Sequence, residues 1–178
     1  SESATGQRST MVLDGIGRVI EMQSAVGIAP VRLTYDSIGR VLEMSQESQL
    51  WAFTYDDQNR ITARTDAAGN QIAFVYDEAD RLVQMILPSG RLFQYEYDAN
   101  GNRTRVVMPN GEIHDLTYTP TNRPAGYLPP GNAPYSWIYS QDDNRTVATL
   151  PSGGTETRTY DALGRLGVLS YADAEVIL

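Results

Sequence analysis

His114 is the only histidine of a chain that has no cysteine. A lone imidazole holds zinc only if carboxylates supply the other ligands. A nucleophile–histidine–acid triad needs a nucleophile in reach, and no serine or threonine is singled out beside it. Asp98-Ala-Asn-Gly-Asn102 resembles the first half of a calcium loop, but the glutamate that completes an EF-hand loop is missing at its spacing. Asp56-Asp57 and Asp142-Asp143-Asn144 are acidic in the same way. Two carboxylates roughly 5–10 Å apart would serve glycoside hydrolysis. Trp51, Tyr135 and Trp137, with Tyr127, are the candidate ligand contacts, as aromatic platforms for sugar rings.

The elements that must position these groups come from a repeat. Tyr35, Tyr55, Tyr76, Tyr97, Tyr118, Tyr139 and Tyr160 follow one another at intervals of 20 and then 21 residues. Asp36, Asp56, Asp77, Asp98 and Asp161 come directly after five of them. Arg40, Arg60, Arg81, Arg103, Arg123, Arg145 and Arg165 stand five or six residues after each tyrosine. A degenerate copy, Leu13-Asp14 with Arg18, precedes the set. A fixed period of this length means small units that bury their apolar faces by stacking on copies of themselves. His114 then aligns with Ile72 and Phe93 and reads as a packed or hydrogen-bonded core histidine. The acidic segments occupy the repeat's standard turns, and folding alone explains their regularity. The sequence therefore gives no catalytic residue, no metal ligand and no cofactor, and the chain reads as a non-enzyme.

Composition agrees. The chain has 178 residues, 41% of them hydrophobic and 20% charged, which is globular and not disordered. Its net charge of −8 opposes nucleic acid and anionic membranes, and its arginines are dispersed one per copy. No apolar run has the length of a membrane span.

Two turn signals alternate. One follows each tyrosine, as in Tyr35-Asp-Ser-Ile-Gly-Arg40; the other falls midway, as in Pro88-Ser-Gly90 and Pro109-Asn-Gly111. The runs between, such as Gln71-Ile-Ala-Phe-Val-Tyr76, are rich in β-branched and aromatic residues, so each unit is predicted to be a β-hairpin. Val31/Leu33, Trp51/Phe53, Ile72/Phe74, Phe93/Tyr95 and Tyr135/Trp137 share the tyrosine face, which is expected to be the core. Glu156/Arg158 break that pattern. The aspartate is expected to cap its own turn. The arginine is expected to pair with a carboxylate of the next unit, and these two groups to satisfy the phenol hydroxyls. The six-residue gaps, Tyr97 to Arg103 and Tyr139 to Arg145, predict one extra residue, as a bulge or a longer turn. Proline between Arg123 and Gly131 predicts a distorted strand.

The unit Y-D-x-x-G-R, followed by a strand and a P-x-G turn, resembles the YD-repeat or Rhs family from about residue 11 to 178. That family includes bacterial Rhs and polymorphic toxins, toxin-complex B/C components and teneurins. Tyr118-Thr119 and Tyr139-Ser140 lack the aspartate, and no Asp-Pro dipeptide is present for the self-cleaving segment of toxin members. The resemblance implies a long β-sheet spiralling into a hollow shell, from a secreted or cell-surface protein.

The expected fold is all-β: about eight tandem YD-repeat hairpins in a curved or spiralling antiparallel sheet, a partial barrel or shell. Residues 1–10 read as a polar tail and 11–178 as the repeat domain of a longer array. The implied function is a structural shell segment that encloses or displays another domain. Its partners would be the rest of the parent chain or an encapsulated cargo domain. An adhesin binding glycan or a surface protein is the alternative.

Overall fold

The structure, a computed structural model, describes residues 9–25 and 27–173. Most of the expected tail, and residues 174–178 of the expected repeat domain, lie outside the described residues. Sixteen strands follow: β1 Thr10–Leu13, β2 Val19–Gln23, β3 Val31–Tyr35, β4 Val41–Gln46, β5 Gln49–Tyr55, β6 Ile61–Asp66, β7 Gln71–Tyr76 and β8 Leu82–Ile86. They continue as β9 Leu92–Tyr97, β10 Arg103–Val107, β11 Ile113–Tyr118, β12 Pro124–Leu128, β13 Tyr135–Tyr139, β14 Arg145–Thr149, β15 Thr155–Tyr160 and β16 Leu166–Ala172. No helix occurs among the described residues. Strand order in the sheet is the order of the chain, so eight hairpins are laid side by side and β1 and β16 end the series.

The turns after the tyrosines share one construction. In the first, the Asp36 amide donates to the Arg40 carbonyl at 2.9 Å and the Gly39 amide to the Asp36 carbonyl at 3.1 Å. This is the three-residue hairpin loop, a type I turn closed by a left-handed residue. Gly39 takes that place with φ +94°, and Asn59, Asp80, Asn122 and Asp143 take it in other copies with φ between 60° and 66°. Asparagine and aspartate tolerate this conformation best after glycine, so the loss of glycine leaves the turn unchanged.

All these loops are equally long, which corrects the expectation of an extra residue. Tyr97 pairs across the bulge with Arg103, as Tyr35 does with Val41 and Tyr139 with Arg145. The turn position filled elsewhere by arginine is Asn102 in one copy and Asn144 in another. Arg103 and Arg145 are therefore the first residues of β10 and β14 and not turn arginines. The bulge is a constant of the repeat and not a mark of two copies. Proline is likewise less disruptive than expected. Pro124 sits at the bulge facing Tyr118, where a missing amide proton costs no ladder bond, and β12 forms.

The chain divides into two compact units, Ser1–Tyr76 with Met85–Arg91, and Asp77–Gln84 with Leu92–Leu178; the division falls within β8. In the first, cross-strand rows on the tyrosine face include Leu33–Met44–Trp51 and Phe53–Arg64–Ile72. In the second, the rows include Tyr95–Val106–His114, Leu116–Tyr127–Tyr135 and Trp137–Ala148–Glu156. The other face carries polar rows such as Glu96–Arg105–Asp115, with Arg105 Nε 2.6 Å from Asp115.

Alternation follows the expected faces: Val31, Leu33 and Tyr35 are half-buried while Arg32 and Thr34 are exposed. The depth does not. Among the described side chains only Ala63 and Ala148 are buried, at 7% and 5% exposure. The tyrosine face is a half-buried surface and not a closed core, because the described strand contacts run only between neighbours in sequence. Cohesion then depends on what links one hairpin to the next.

Candidate functional site

Each well-formed copy builds a link from four groups. Asp36 Oδ1 accepts the amides of Ile38 and Arg40 at 3.0 and 2.8 Å, and Oδ2 accepts Arg40 Nε at 2.6 Å. The carboxylate thus holds both the turn and the arginine. The held guanidinium lies over the ring of Tyr55, in the following repeat, 4.6 Å from its centroid. Arg40 Nη1 also donates to the Asp56 carbonyl at 3.2 Å and to Asn59 Oδ1 at 3.0 Å. The Tyr55 hydroxyl returns a hydrogen bond to the Val41 carbonyl at 2.7 Å. Apart from the neutral hydroxyl–carbonyl bond, every contact of this clamp is charge-assisted or cation–π, and each needs its neighbour in place.

The same clamp recurs with Asp14, Arg18 and Tyr35, with Asp56, Arg60 and Tyr76, and with Asp77, Arg81 and Tyr97. The guanidinium-to-ring distances there are 4.6, 4.8 and 4.9 Å. The Tyr35, Tyr76 and Tyr97 hydroxyls donate to the carbonyls of Val19, Ile61 and Leu82 at 2.6, 2.9 and 2.7 Å.

Two expectations change. The arginine pairs with the aspartate of its own turn, and reaches the next unit through a ring and a carbonyl instead of a carboxylate. The tyrosine hydroxyl finds a backbone carbonyl and neither aspartate nor arginine. The reason is geometric: the bulge after each turn leaves the carbonyl of the first strand residue facing the next tyrosine. Carboxylate pKa values register the clamp. At Asp36 partial burial pushes upward, but hydrogen bonds from the Arg40 side chain and amide outweigh it and hold the group below the usual range. At Asp77 the Arg81 side chain is the foremost cause of the same lowering.

Three copies depart. Asn102 replaces arginine, keeps its bond to Asp98 at 2.9 Å, and meets Asn122 of the next turn at 2.8 Å. Thr119 replaces aspartate, so Arg123 is untethered and reaches Asp143 of the next turn at 3.4 Å. In the last, Ser140 and Asn144 replace both. Of the two displaced arginines, Arg103 lies 4.7 Å from the Tyr95 ring centroid, and Arg145 pairs with Glu156 at 2.9 Å. Arg158 binds the same Glu156 at 2.7 Å. The charged residues that break the apolar face thus satisfy one another. Arg165 is held by Asp161 at 2.8 Å.

The other candidates fall as follows. His114 Nδ1 is 2.7 Å from the Tyr127 hydroxyl. Its ring heads a stacked series with Tyr127, Tyr135 and Trp137, whose successive centroids are 5.9, 5.9 and 6.3 Å apart. Tyr135 and Trp137 therefore come together in one row of near-parallel rings. Trp51 lies in the first unit with the Arg64 guanidinium 4.3 Å from its centroid. No group of ligands for a metal occurs among the described residues. Asp98 shows why: Oδ1 accepts Asn100 and Asn102 amides, and Oδ2 the Asn102 side chain, all at 2.9 Å. The carboxylate is already spent on its turn. Millimolar calcium, or EDTA, is expected to leave the melting temperature unchanged; a rise of several degrees with calcium would contradict this account.

The clamp was half-legible. The residue types were visible in the spacing; that Asn102 and Asn144 occupy the arginine position was not, because the neighbouring Arg103 and Arg145 kept the count plausible. The left-handed turn residue, counted back from the bulge, was the available signal.

Fold and clamp together define an all-β repeat protein whose hairpins are locked edge to edge into a structural sheet. The chain belongs to the Teneurin YD-shell family, whose sequence pattern matches residues 3–177. It is similar in fold to the crystal structure of TcdB2-TccC3-TEV, with a TM-score of 0.64 and 15% identity over 97% of this chain and 13% of that one. It is also similar to a mutant of the Photorhabdus luminescens Tc holotoxin pore, with a TM-score of 0.60 and 20% identity over 93% of this chain and 9% of that one. Its length is thus a small part of those proteins. No curated protein sequence matches it.

Proposed function

We propose that this chain is a stretch of wall in the YD shell of a larger secreted or cell-surface protein. Its task is to enclose or display another domain of that protein, without catalysing a reaction. The observation that carries this is the clamp. In four copies it ties a hairpin to the next and spends its aspartate, arginine and tyrosine on cohesion. Family membership supports the shell; the enclosed domain is the proposed step beyond it.

Site-specific photo-crosslinkers in the full-length parent protein test the reading. Placed at Phe93 or Tyr135, on the tyrosine face, they are expected to capture a segment of the same polypeptide outside the repeats. Placed at Glu96, on the other face, they are expected to capture none. Capture only from Glu96, or only of separate proteins, would overturn enclosure.

A further inference from the structure

Within each of the two units, consecutive turns after the tyrosines are bridged, and one pair is not. Arg18 reaches the Asp36 carbonyl, Arg40 that of Asp56, and Arg81 that of Asp98. Asn102 reaches Asn122, and both Thr121 and Arg123 reach Asp143. Between the turn of residues 140–144 and the turn of residues 161–165 no hydrogen bond or ion pair is found among the described residues. There the structure has a cleft of about 810 Å³, lined by Asp142, Asn144, Arg158, Tyr160 and Asp161 among others.

The gap has a definite chemical shape, because the same protein shows what fills it elsewhere. In four copies a guanidinium lies 4.6–4.9 Å from the centroid of the tyrosine that follows. In this copy Asn144 stands where that arginine originates, and Ser140 where its tethering aspartate stands. Asn144 points along the lane: its Nδ2 lies 4.0 Å from where a Cβ on Gly164 would be. The Arg18 guanidinium lies in the same relation to Gly39, at 3.9 Å. Tyr160 still donates to the Arg145 carbonyl at 2.8 Å, so its ring is held as in the filled copies, with no turn guanidinium above it.

One carboxylate in the cleft is left without a partner among the described residues. Asp161 is engaged by Arg165, and Arg158 by Glu156. Arg145, behind them, is engaged by the same glutamate. Asp143 turns to Arg123. Asp142 has no ion-pair partner among the described residues. Among the charged side chains that line the cleft it alone lacks one, while Arg158 shares Glu156 with Arg145.

We infer that this cleft is a binding site for a guanidinium group, the side chain of an arginine on a partner segment. The guanidinium stacks on Tyr160, donates to the Asp161 carbonyl as Arg18 does to that of Asp36, and is drawn in by Asp142. An arginine ligand suits the site better than lysine, since its planar, weakly hydrated group both stacks and forks its hydrogen bonds. The inference stands whether or not the shell encloses another domain.

L-argininamide is the probe, titrated into the ¹⁵N-labelled chain and followed by amide NMR. Saturable shifts are expected at Asn144, Tyr160 and Gly164, with lysinamide at least fivefold weaker. The double variant Ser140→Asp/Asn144→Arg restores the clamp residues of the other copies. It is expected to raise the melting temperature and weaken argininamide binding at least tenfold. Asp142→Asn, which leaves the turn intact, is expected to weaken it about threefold or more. No saturable shift at these residues, an equal response to lysinamide, or undiminished binding in both variants would each overturn the assignment.

Discussion

Tyr97→Ala is expected to destabilise the protein by about 2–4 kcal/mol in urea unfolding, less than the 3–5 kcal/mol typical of a large aromatic truncated in a closed core. The discount follows from depth: the side chain is half-buried in an open sheet. What it loses is specific. Its hydroxyl donates to the Leu82 carbonyl at 2.7 Å, and the Arg81 guanidinium lies 4.9 Å from its centroid, with Arg103 at 5.9 Å. Tyr97→Phe removes only the hydroxyl and is expected to cost about 0.5–1.5 kcal/mol. Tyr118→Ala is the internal control. Tyr118 keeps the hydroxyl bond, to the Arg103 carbonyl at 3.0 Å, but stands after Asn102 and carries no guanidinium. It should cost less than Tyr97→Ala by about 0.5–1 kcal/mol, the worth of an exposed cation–π contact. Equal losses at the two sites would show that the guanidinium contributes nothing and that the clamp is held by packing alone.

That comparison also marks where sequence reasoning stops. Hairpins, strand faces and turn positions were legible, because alternation and left-handed turn residues are local features that each copy repeats. Two things were not. Burial depth depends on whether anything covers a face, and the alternation at Val31, Leu33 and Tyr35 looks the same in a half-covered sheet as in a closed core. The partners of tyrosine, aspartate and arginine depend on the bulge. One irregular pairing, Tyr35 with Val41, aims the Val41 carbonyl at Tyr55 and leaves Asp36 free to grip its own arginine. A spacing rule sees which residues recur and not which atoms meet. Hence spacing alone groups Arg103 and Arg145 with arginines whose place they do not share.

The clamp explains why aspartate and arginine recur as a pair. Aspartate alone caps a turn, as Asp98 does with Asn102. Arginine alone drifts to another acceptor, as Arg123 does to Asp143. Only together do they set a guanidinium over the following ring: of the five copies with both, the four that are followed by another described copy show that contact and an engaged hydroxyl, and in the fifth Asp161 holds Arg165. In a repeat array, where stability is a sum of units and their nearest-neighbour interfaces, such a link acts at the interface. Copies lacking it are the places where neighbouring hairpins are least committed to each other.

Acid is expected to loosen every intact turn at once. Asp14, Asp36, Asp56 and Asp66 in the first unit, and Asp77, Asp98 and Asp161 in the second, all have carboxyls held below the ordinary value. At Asp14 and Asp161 the amide of the arginine four residues on is the largest cause, followed by that arginine's side chain. A group whose pKa is depressed on folding binds its proton more readily in the unfolded chain. Its stabilisation is therefore complete above the free value of about 3.9 and is lost as pH falls through the folded value. The melting temperature should stay level from about pH 7 to pH 5 as far as these groups decide it, then fall steadily below about pH 4. Asp36→Asn keeps an oxygen for the Ile38 and Arg40 amides and surrenders the charge on Arg40 Nε. It should lower stability at neutral pH and flatten the acid slope, because one titrating carboxylate is gone. A melting temperature that holds between pH 5 and pH 2.5 would mean that the carboxylates do not differ between folded and unfolded chains. The turns would then owe their form to the left-handed residue alone.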